Sequence, residues 1–247
     1  VQPSEIAKLA IIVYLAHFLS RDKKRASSLF KGVIPSLVVM GIFVLLIMKQ
    51  PNMSTAAVIG MLTFVMLFLA GAKIWHLMSF VGLGCVGAVA LIKKASYRMD
   101  RILAFRDPWS DPTDTGYQTI QSLYSLGSGG WFGMGLGASR QKFLYLPYRE
   151  TDFIFAIIGE ELGFIGSILI ILLFLTLIWR GVRIAITAPD LFGSLLASGI
   201  ISMIGIQAIL NIAIVTNSMP PTGVPLPFIS YGGSSLFLFM SSIGVVL

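Results

Sequence analysis

Apolar residues fall into seven segments along the chain: Ile6–Leu19, Val33–Met48, Ser54–Ala72, Ile74–Ile92, Phe153–Trp179, Leu191–Thr216 and Ser234–Leu247. Several approach the run of about 20 residues that a helix needs to cross a bilayer. Backbone polar groups in lipid must be satisfied within the segment, so long apolar runs read as helices. A membrane β-barrel would show alternating segments of about ten residues, and none are present. The pattern predicts an all-α, polytopic integral membrane protein. We expect seven spanning or truncated spanning helices in one transmembrane domain over residues 1–247, with a long loop at 93–152.

Polar positions between the segments predict orientation. Arg21, Lys23, Lys24, Arg25 and Lys31 lie between the first two segments, Lys73 between the third and fourth, and Arg180 and Arg183 between the fifth and sixth. The opposite short loops hold only Lys49. This bias puts the basic loops in the cytoplasm. Loop 93–152 then lies outside, although it carries Lys93, Lys94, Arg98, Arg101, Arg106, Arg140, Lys142 and Arg149. Long loops are largely exempt from the charge rule. We expect these cations to serve an anionic lipid headgroup.

The loop is too long for a mere connector. It contains Pro108, Pro112 and Pro147, a glycine cluster over Gly127–Gly137, and ten aromatic residues from Tyr97 to Tyr148. This points to a structured loop resting on the membrane. Gln118–Leu126 reads as a short amphipathic helix in the interface.

Composition agrees. The chain is 56% hydrophobic and 12% charged, with a mean hydropathy of +0.87, against about 25% charged residues in soluble domains. The net charge of +7 belongs to cytoplasmic loops and anionic headgroups, not to nucleic acid. Cys85 has no disulfide partner, and neither it nor His17 and His76 suggests a metal site. No signal peptide precedes the first segment. Val1 and Leu247 read as cut points in a longer protein.

Asp152 stands where the basic, aromatic loop enters the fifth segment. As a plain N-cap it would satisfy helix amides. As a general base it would be kept ionised by Lys142 and Arg149. Glu160 and Glu161 follow about 12 Å along a helix, and carboxylates at that depth are functional candidates or pair with a neighbouring helix. On a helical wheel Glu160 lies about 80° from Asp152 and Glu161 about 180°, so Glu160 is the one expected to share a cavity with Asp152. Glu5 and Lys8 have ion-pair spacing, or could line a polar groove. Gln207 and Asn211 have the spacing of a pair bonding to another helix. Gly159 and Gly163 permit close packing. After Pro220, Pro221, Pro225 and Pro227, Ser230–Ser235 either lines a cavity or caps a helix.

In QPSEIAK (Gln2–Lys8), KQPNMSTA (Lys49–Ala56), YRMDRILAFRDPWSDPTDTGYQ (Tyr97–Gln118), GMGLGASRQKFLYLP (Gly133–Pro147), TDFIFAIIGEELG (Thr151–Gly163) and PPTGVPLPFISYGGSS (Pro220–Ser235), the chain resembles the SEDS family of shape, elongation, division and sporulation proteins. GEELG and ISYGGSS look most like its division and sporulation branch. The resemblance implies a ten-helix fold of which helices four to ten are present. It implies a peptidoglycan glycosyltransferase of the bacterial cytoplasmic membrane, polymerising lipid II on the extracytoplasmic face. Asp152 would deprotonate the acceptor hydroxyl. Lys142, Arg98, Arg101, Glu160, Gln118 and Ser230 would bind substrate, and Glu5 and Lys8 match the family's polar pair. A class B penicillin-binding protein and other division or elongation membrane proteins would be partners. No carboxylate cluster marks a metal site; a divalent cation such as Mg or Mn would be shared between Asp152 and phosphate. A lipid II flippase and a non-catalytic scaffold activating a penicillin-binding protein are the alternatives. An externally placed base and a cationic loop favour the enzyme.

Overall fold

A computed structural model describes residues 2–22, 24–50, 52–93, 96–141 and 150–247, and every regular element among them is helical. In order these are α1 (Pro3–Ser20), α2 (Ile34–Met48) entered through a wide turn at Leu29–Val33, α3 (Met53–Leu69), α4 (Ile74–Lys93), α5 (Ser96–Arg106), a tight turn at Pro108–Ser110, α6 (Tyr117–Ser128), α7 (Ile154–Thr187), α8 (Leu191–Val215) and α9 (Gly233–Val246). The seven apolar segments fall on α1–α4 and α7–α9. Four stretches are long and apolar enough to cross a membrane: Pro3–Ser20, Leu29–Met48, Ile154–Thr187 and Leu191–Val215. Met53–Leu69, Ile74–Gly87 and Gly233–Val246 are shorter apolar helices.

Local chemistry sets the helix ends. Proline occupies the first turn of α1 and of α2, where its missing N–H costs nothing. Asn52 caps α3 by accepting from Thr55 N at 3.0 Å. Hydroxyls inside apolar helices bond back one turn, as Thr63 does to Ile59 O at 2.9 Å and Ser36 to Gly32 O at 2.9 Å. These bonds satisfy both buried hydroxyls within their own helices.

The contacts divide the chain into two units. The first comprises residues 1–86, 176–206 and 233–247. In it α1 packs against α2, α3 and α9, burying Ile11, Ile12 and Leu15 with Ile59, Leu62 and Met66. Between membrane helices the driving term is close packing. Gly199 of α8 supplies it, since a Cβ there would come within 2.6 Å of Ile12 Cγ2 and 2.7 Å of Met66 Sδ. Glu5 and Lys8 form a buried ion pair on α1, with Nζ to Oε1 at 2.7 Å.

The second unit comprises residues 87–175 and 207–232. The expected Gln118–Leu126 helix is present as α6. α5 lies within the stretch read only as loop; Met99, Ile102, Leu103 and Arg106 have helical spacing, but their stripe is short and interleaved with charges. Trp109 and Tyr124 meet edge to face, with ring centroids 5.7 Å apart, so the tight turn at Pro108–Ser110 packs on α6.

One difference from the sequence reading matters most. Phe153–Trp179 reads as one straight span, but α7 breaks at Gly163, whose φ is 68° and ψ −165°. A break in an apolar helix strands backbone groups on both sides. The glycine-rich loop fills it. Met134 N donates to Glu160 O at 2.9 Å and Gly135 N to Glu161 O at 3.1 Å. From the other side, Phe164 N donates to Gly130 O at 2.9 Å and Ile165 N to Trp131 O at 3.2 Å. The fit leaves no room for side chains at the crossing. A Cβ on Gly163 would lie 2.3 Å from Gly133 N, and one on Gly133 would lie 2.1 Å from Glu161 O.

Candidate functional site

Asp152 lies in the turn Thr151–Phe153 that enters α7, half-buried. Among the described residues no amide donates to its carboxylate, so the N-cap geometry is not formed. Nor is Asp152 on the helix, so the wheel angles drawn from it to Glu160 and Glu161 do not apply. Its position is set through the main chain instead. Asn211 of α8, fully buried, donates from Nδ2 to Asp152 O and to Val224 O, both at 2.8 Å. Ser230 Oγ donates to Thr151 O and accepts from Leu226 N at 2.7 Å. Tyr231 N donates to Glu150 O at 2.7 Å. Three consecutive carbonyls, Glu150 to Asp152, are thus tied to α8 and the proline-rich loop.

Gly223 is a close neighbour of the Asp152 carboxylate, since a Cβ there would stand 3.3 Å from Asp152 Oδ2. Burial pushes the Asp152 carboxyl above its ordinary range, and the nearby Arg101 guanidinium pulls it partly back. Arg101, on α5, also donates to Pro221 O at 3.4 Å. A partly desolvated carboxylate beside one cation has the character of a base that binds its proton more firmly than free aspartate.

The remaining expected residues distribute as follows. Arg101 and Ser230 gather around the Asp152 turn, although Ser230 acts on backbone groups. Gln118 is half-buried on α6, and its side chain has no hydrogen bond among the described residues. Arg98 lies on α5, with its side chain outside the described part. Lys142 and Arg149 lie outside the described residues altogether.

Glu160 does not reach toward Asp152. It is 1% exposed, and its carboxylate is held from the α6 side and from the loop. Ser139 Oγ donates to Oε2, Arg140 N donates to Oε1 at 2.9 Å, and Ser125 Oγ shares its proton between Oε2 and Ala156 O, each at 3.1 Å. Glu161 accepts from Ser139 N at 3.4 Å. Gly159, part of the small-residue spacing seen in the sequence, makes room for Leu126 of α6, since a Cβ there would come within 2.5 Å of Leu126 Cδ2, and Gly129 just beyond α6 is equally tight, with a Cβ there 2.0 Å from Gly159 O. Among the described residues no group of three or more His, Cys, Asp or Glu is arranged to hold a metal ion.

Sequence reasoning missed Ser125, Ser139, Gly223 and the target of Asn211. Only Asn211 carried a signal, as an amide in a long apolar run.

Residues 1–247 match the family of cell cycle proteins that comprises FtsW, RodA and SpoVE. The chain belongs to this family. Among SpoVE/FtsW/RodA relatives, stage V sporulation protein E of Bacillus subtilis (strain 168) is 54% identical over 248 residues, covering 100% of this chain and 68% of that protein. A probable peptidoglycan glycosyltransferase FtsW of Geobacter sp. (strain M18) is 44% identical over 246 residues, covering 100% of this chain and 67% of its own length. Among solved structures, a chain from a peptidoglycan synthase complex that coordinates polymerization and crosslinking superposes with a TM-score of 0.77 at 30% identity, covering 100% of this chain and 68% of that one. The rod shape determining protein RodA of Thermus thermophilus superposes with a TM-score of 0.67 at 30% identity, covering 100% and 64%. The chain therefore spans about two thirds of the length of these relatives. The SEDS resemblance and the all-helical membrane fold expected from the sequence both hold.

Proposed function

We propose that the chain is the catalytic part of a peptidoglycan glycosyltransferase that polymerises lipid II at the outer face of the bacterial cytoplasmic membrane, in division or sporulation. The observation that supports this most is the Asp152 turn. Its backbone is fixed by three hydrogen-bond partners, and its carboxylate is half-buried, free of capping bonds and paired electrostatically with Arg101.

In this reading Asp152 takes the proton from the acceptor sugar 4-hydroxyl as the oxygen attacks the anomeric carbon of the donor. The bond to the lipid pyrophosphate breaks, and the leaving group departs as an anion. One base suffices because pyrophosphate leaves without protonation. Arg101, with Arg98 and Lys142, neutralises the charge that develops on it. Arg101 has a second effect, opposing the rise that burial imposes on the Asp152 carboxyl. A relative named probable peptidoglycan glycosyltransferase and a similar chain from a peptidoglycan synthase complex support the reaction class; lipid II as substrate and a class B penicillin-binding protein as partner are carried over from the SEDS resemblance.

The test is reconstitution of the full-length protein with its class B penicillin-binding protein and labelled lipid II. Wild type is expected to make glycan strands and Asp152→Asn none, with the same folded yield. Polymer at the normal rate from Asp152→Asn would remove Asp152 from catalysis. Lipid II translocation without polymer would favour the flippase, and no activity beyond stimulation of the partner would favour the scaffold.

A further inference from the structure

We propose that the glycine-rich loop over residues 130–137 is a membrane seat. Its bulky side chains Trp131, Phe132, Met134 and Leu136 enter the lipid interface at the level of Gly163 and fix how far α7 stands out of the bilayer. The seat itself does not depend on the catalytic reading; its use in setting the height of Asp152 rests on that reading.

Exposure along the start of α7 changes at one point. From Phe153 to Gly163 no residue is exposed, whereas Phe164, Ile165, Ile168, Leu169, Leu172 and Leu173 all are. The cover over the first part comes from α6 and the loop that follows it. Leu126 packs on Gly159, and the Met134 and Gly135 amides donate to the carbonyls of Glu160 and Glu161. The bare part is apolar, and α7 is long and apolar enough to cross a membrane. The uncharged run between Glu161 and Arg180 measures ~27 Å at ~1.5 Å per residue, close to the ~30 Å of a hydrocarbon core. Hydrocarbon therefore meets α7 from the neighbourhood of Gly163 onward, and the covered turns before it stand in the headgroup region and beyond.

The loop lies at that boundary with side chains suited to it. Residues 130–137 read GWFGMGLG, without a charge. Trp131 is 68% exposed and Phe132 more so. The Trp131 ring meets Phe164, the first bare residue of α7, edge to face with centroids 5.3 Å apart. The apolar surface of the loop is thus continuous with the lipid-facing surface of the helix. Tryptophan is favoured at this level because its ring is apolar and its N–H reaches water. Non-helical backbone near lipid needs its polar groups bonded to protein. The amides of Gly133, Met134 and Gly135 and the carbonyls of Gly130, Trp131 and Gly135 meet that need. A protein-docking patch carries a polar rim, and this stretch offers only the Trp131 indole N–H for one. From Gly163 back to Ile154 the helix climbs up to ~14 Å, past a headgroup layer of roughly 5–8 Å. The Asp152 turn then stands beyond the lipid phosphates, at the height of a sugar carried on a lipid pyrophosphate.

The experiment places the full-length protein in vesicles of phosphatidylcholine and phosphatidylglycerol, with part of the phosphatidylcholine brominated either near the headgroup end or near the methyl end of its acyl chains. Tryptophan quenching by the shallow bromines should be smaller in Trp131→Phe than in wild type, and quenching by the deep bromines should be the same in both. Equal quenching of the two proteins by shallow bromines would overturn the proposal. Because main-chain groups hold the loop to α7, Phe132→Glu with Leu136→Glu should fold. In vesicles this double variant should show weaker shallow quenching and several-fold slower lipid II polymerisation, and in detergent micelles it should match wild type. Phe132→Leu should match wild type in both. An equal loss of rate in detergent would overturn the seat in favour of a structural role, and loss of co-purification with the penicillin-binding protein would overturn it in favour of a protein-docking face. If the double variant does not fold, the Trp131→Phe comparison decides alone. Asp152→Asn separates the two readings, because it should keep wild-type quenching. If it polymerises normally while the Trp131 quenching is found, the catalytic assignment fails and the seat stands. If it is inactive and the Trp131 quenching is absent from wild type, the seat fails alone.

Discussion

Asn211→Leu isolates what holds Asp152 in place. The substitution keeps the branched shape and heavy-atom count and removes two hydrogen bonds of 2.8 Å, to Asp152 O and Val224 O. Each carbonyl left buried without a partner costs about 1–3 kcal/mol, so the pair costs roughly 2–6. Asn211 Oδ1 is itself buried without a partner, and deleting that orphan returns roughly 1–3 kcal/mol. At mid-range values the net destabilisation is about 2 kcal/mol, small against a typical stability of about 5–15 kcal/mol. The variant should therefore stay folded, with a modestly lowered melting temperature. Activity should suffer more, since a misplacement of about 1 Å at a catalytic group can cost on the order of 100-fold. The assay pairs thermal melts with lipid II polymerisation by the reconstituted full-length protein. Wild-type turnover in the folded variant would show that Asn211 does not position the base. A loss of activity that tracks the unfolded fraction would reduce its role to stability.

Four further expectations follow from the same geometry. Because burial raises the Asp152 carboxyl and Arg101 opposes the shift, the rate should fall with decreasing pH through a value above that of free aspartate, and Arg101→Gln should move this limb to higher pH. The native state binds that proton more tightly than the unfolded chain, so stability should decline as pH rises from the ordinary aspartate value through the raised one; Asp152→Asn should flatten this slope in melts taken across the window. Gly223→Ala places a Cβ 3.3 Å from Asp152 Oδ2 and should lower kcat with little change in melting; undiminished turnover would mean the space beside the carboxylate is not used. Gly163→Ala combines a φ of 68° with a backbone atom 2.3 Å from the new Cβ, so it should cost more than about 1 kcal/mol, and a wild-type melting curve would show that the break can relax.

The membrane class and the position of nearly every helix were legible because an apolar run long enough to cross lipid has few other folds open to it. α5 was not, since eleven residues with interleaved charges carry little periodic signal. The candidate site divides in the same way. Asp152 was visible from its place at a loop–helix junction, and Arg101 from the cationic loop. The wheel that paired Glu160 with Asp152 assumed that both lie on one helix, and Asp152 instead precedes α7. Partners of Glu160 such as Ser125 and Ser139 are small hydroxyl residues with no distinguishing pattern. Their role arises from a tertiary approach that local spacing does not encode.

The lock at Gly163 is made of peptide groups, and side chains contribute none of its four bonds. This separates what the loop must keep from what it is free to change. Phe132 and Leu136 are 83% and 81% exposed, and altering them leaves every amide and carbonyl of the lock in place. The two glycines at the crossing admit no such exchange. Along this stretch, identity is demanded where there is no side chain and relaxed where there is a large one. Phe132 and Leu136 are accordingly the positions at which a fluorophore or crosslinker can be attached while the break beneath them stays closed.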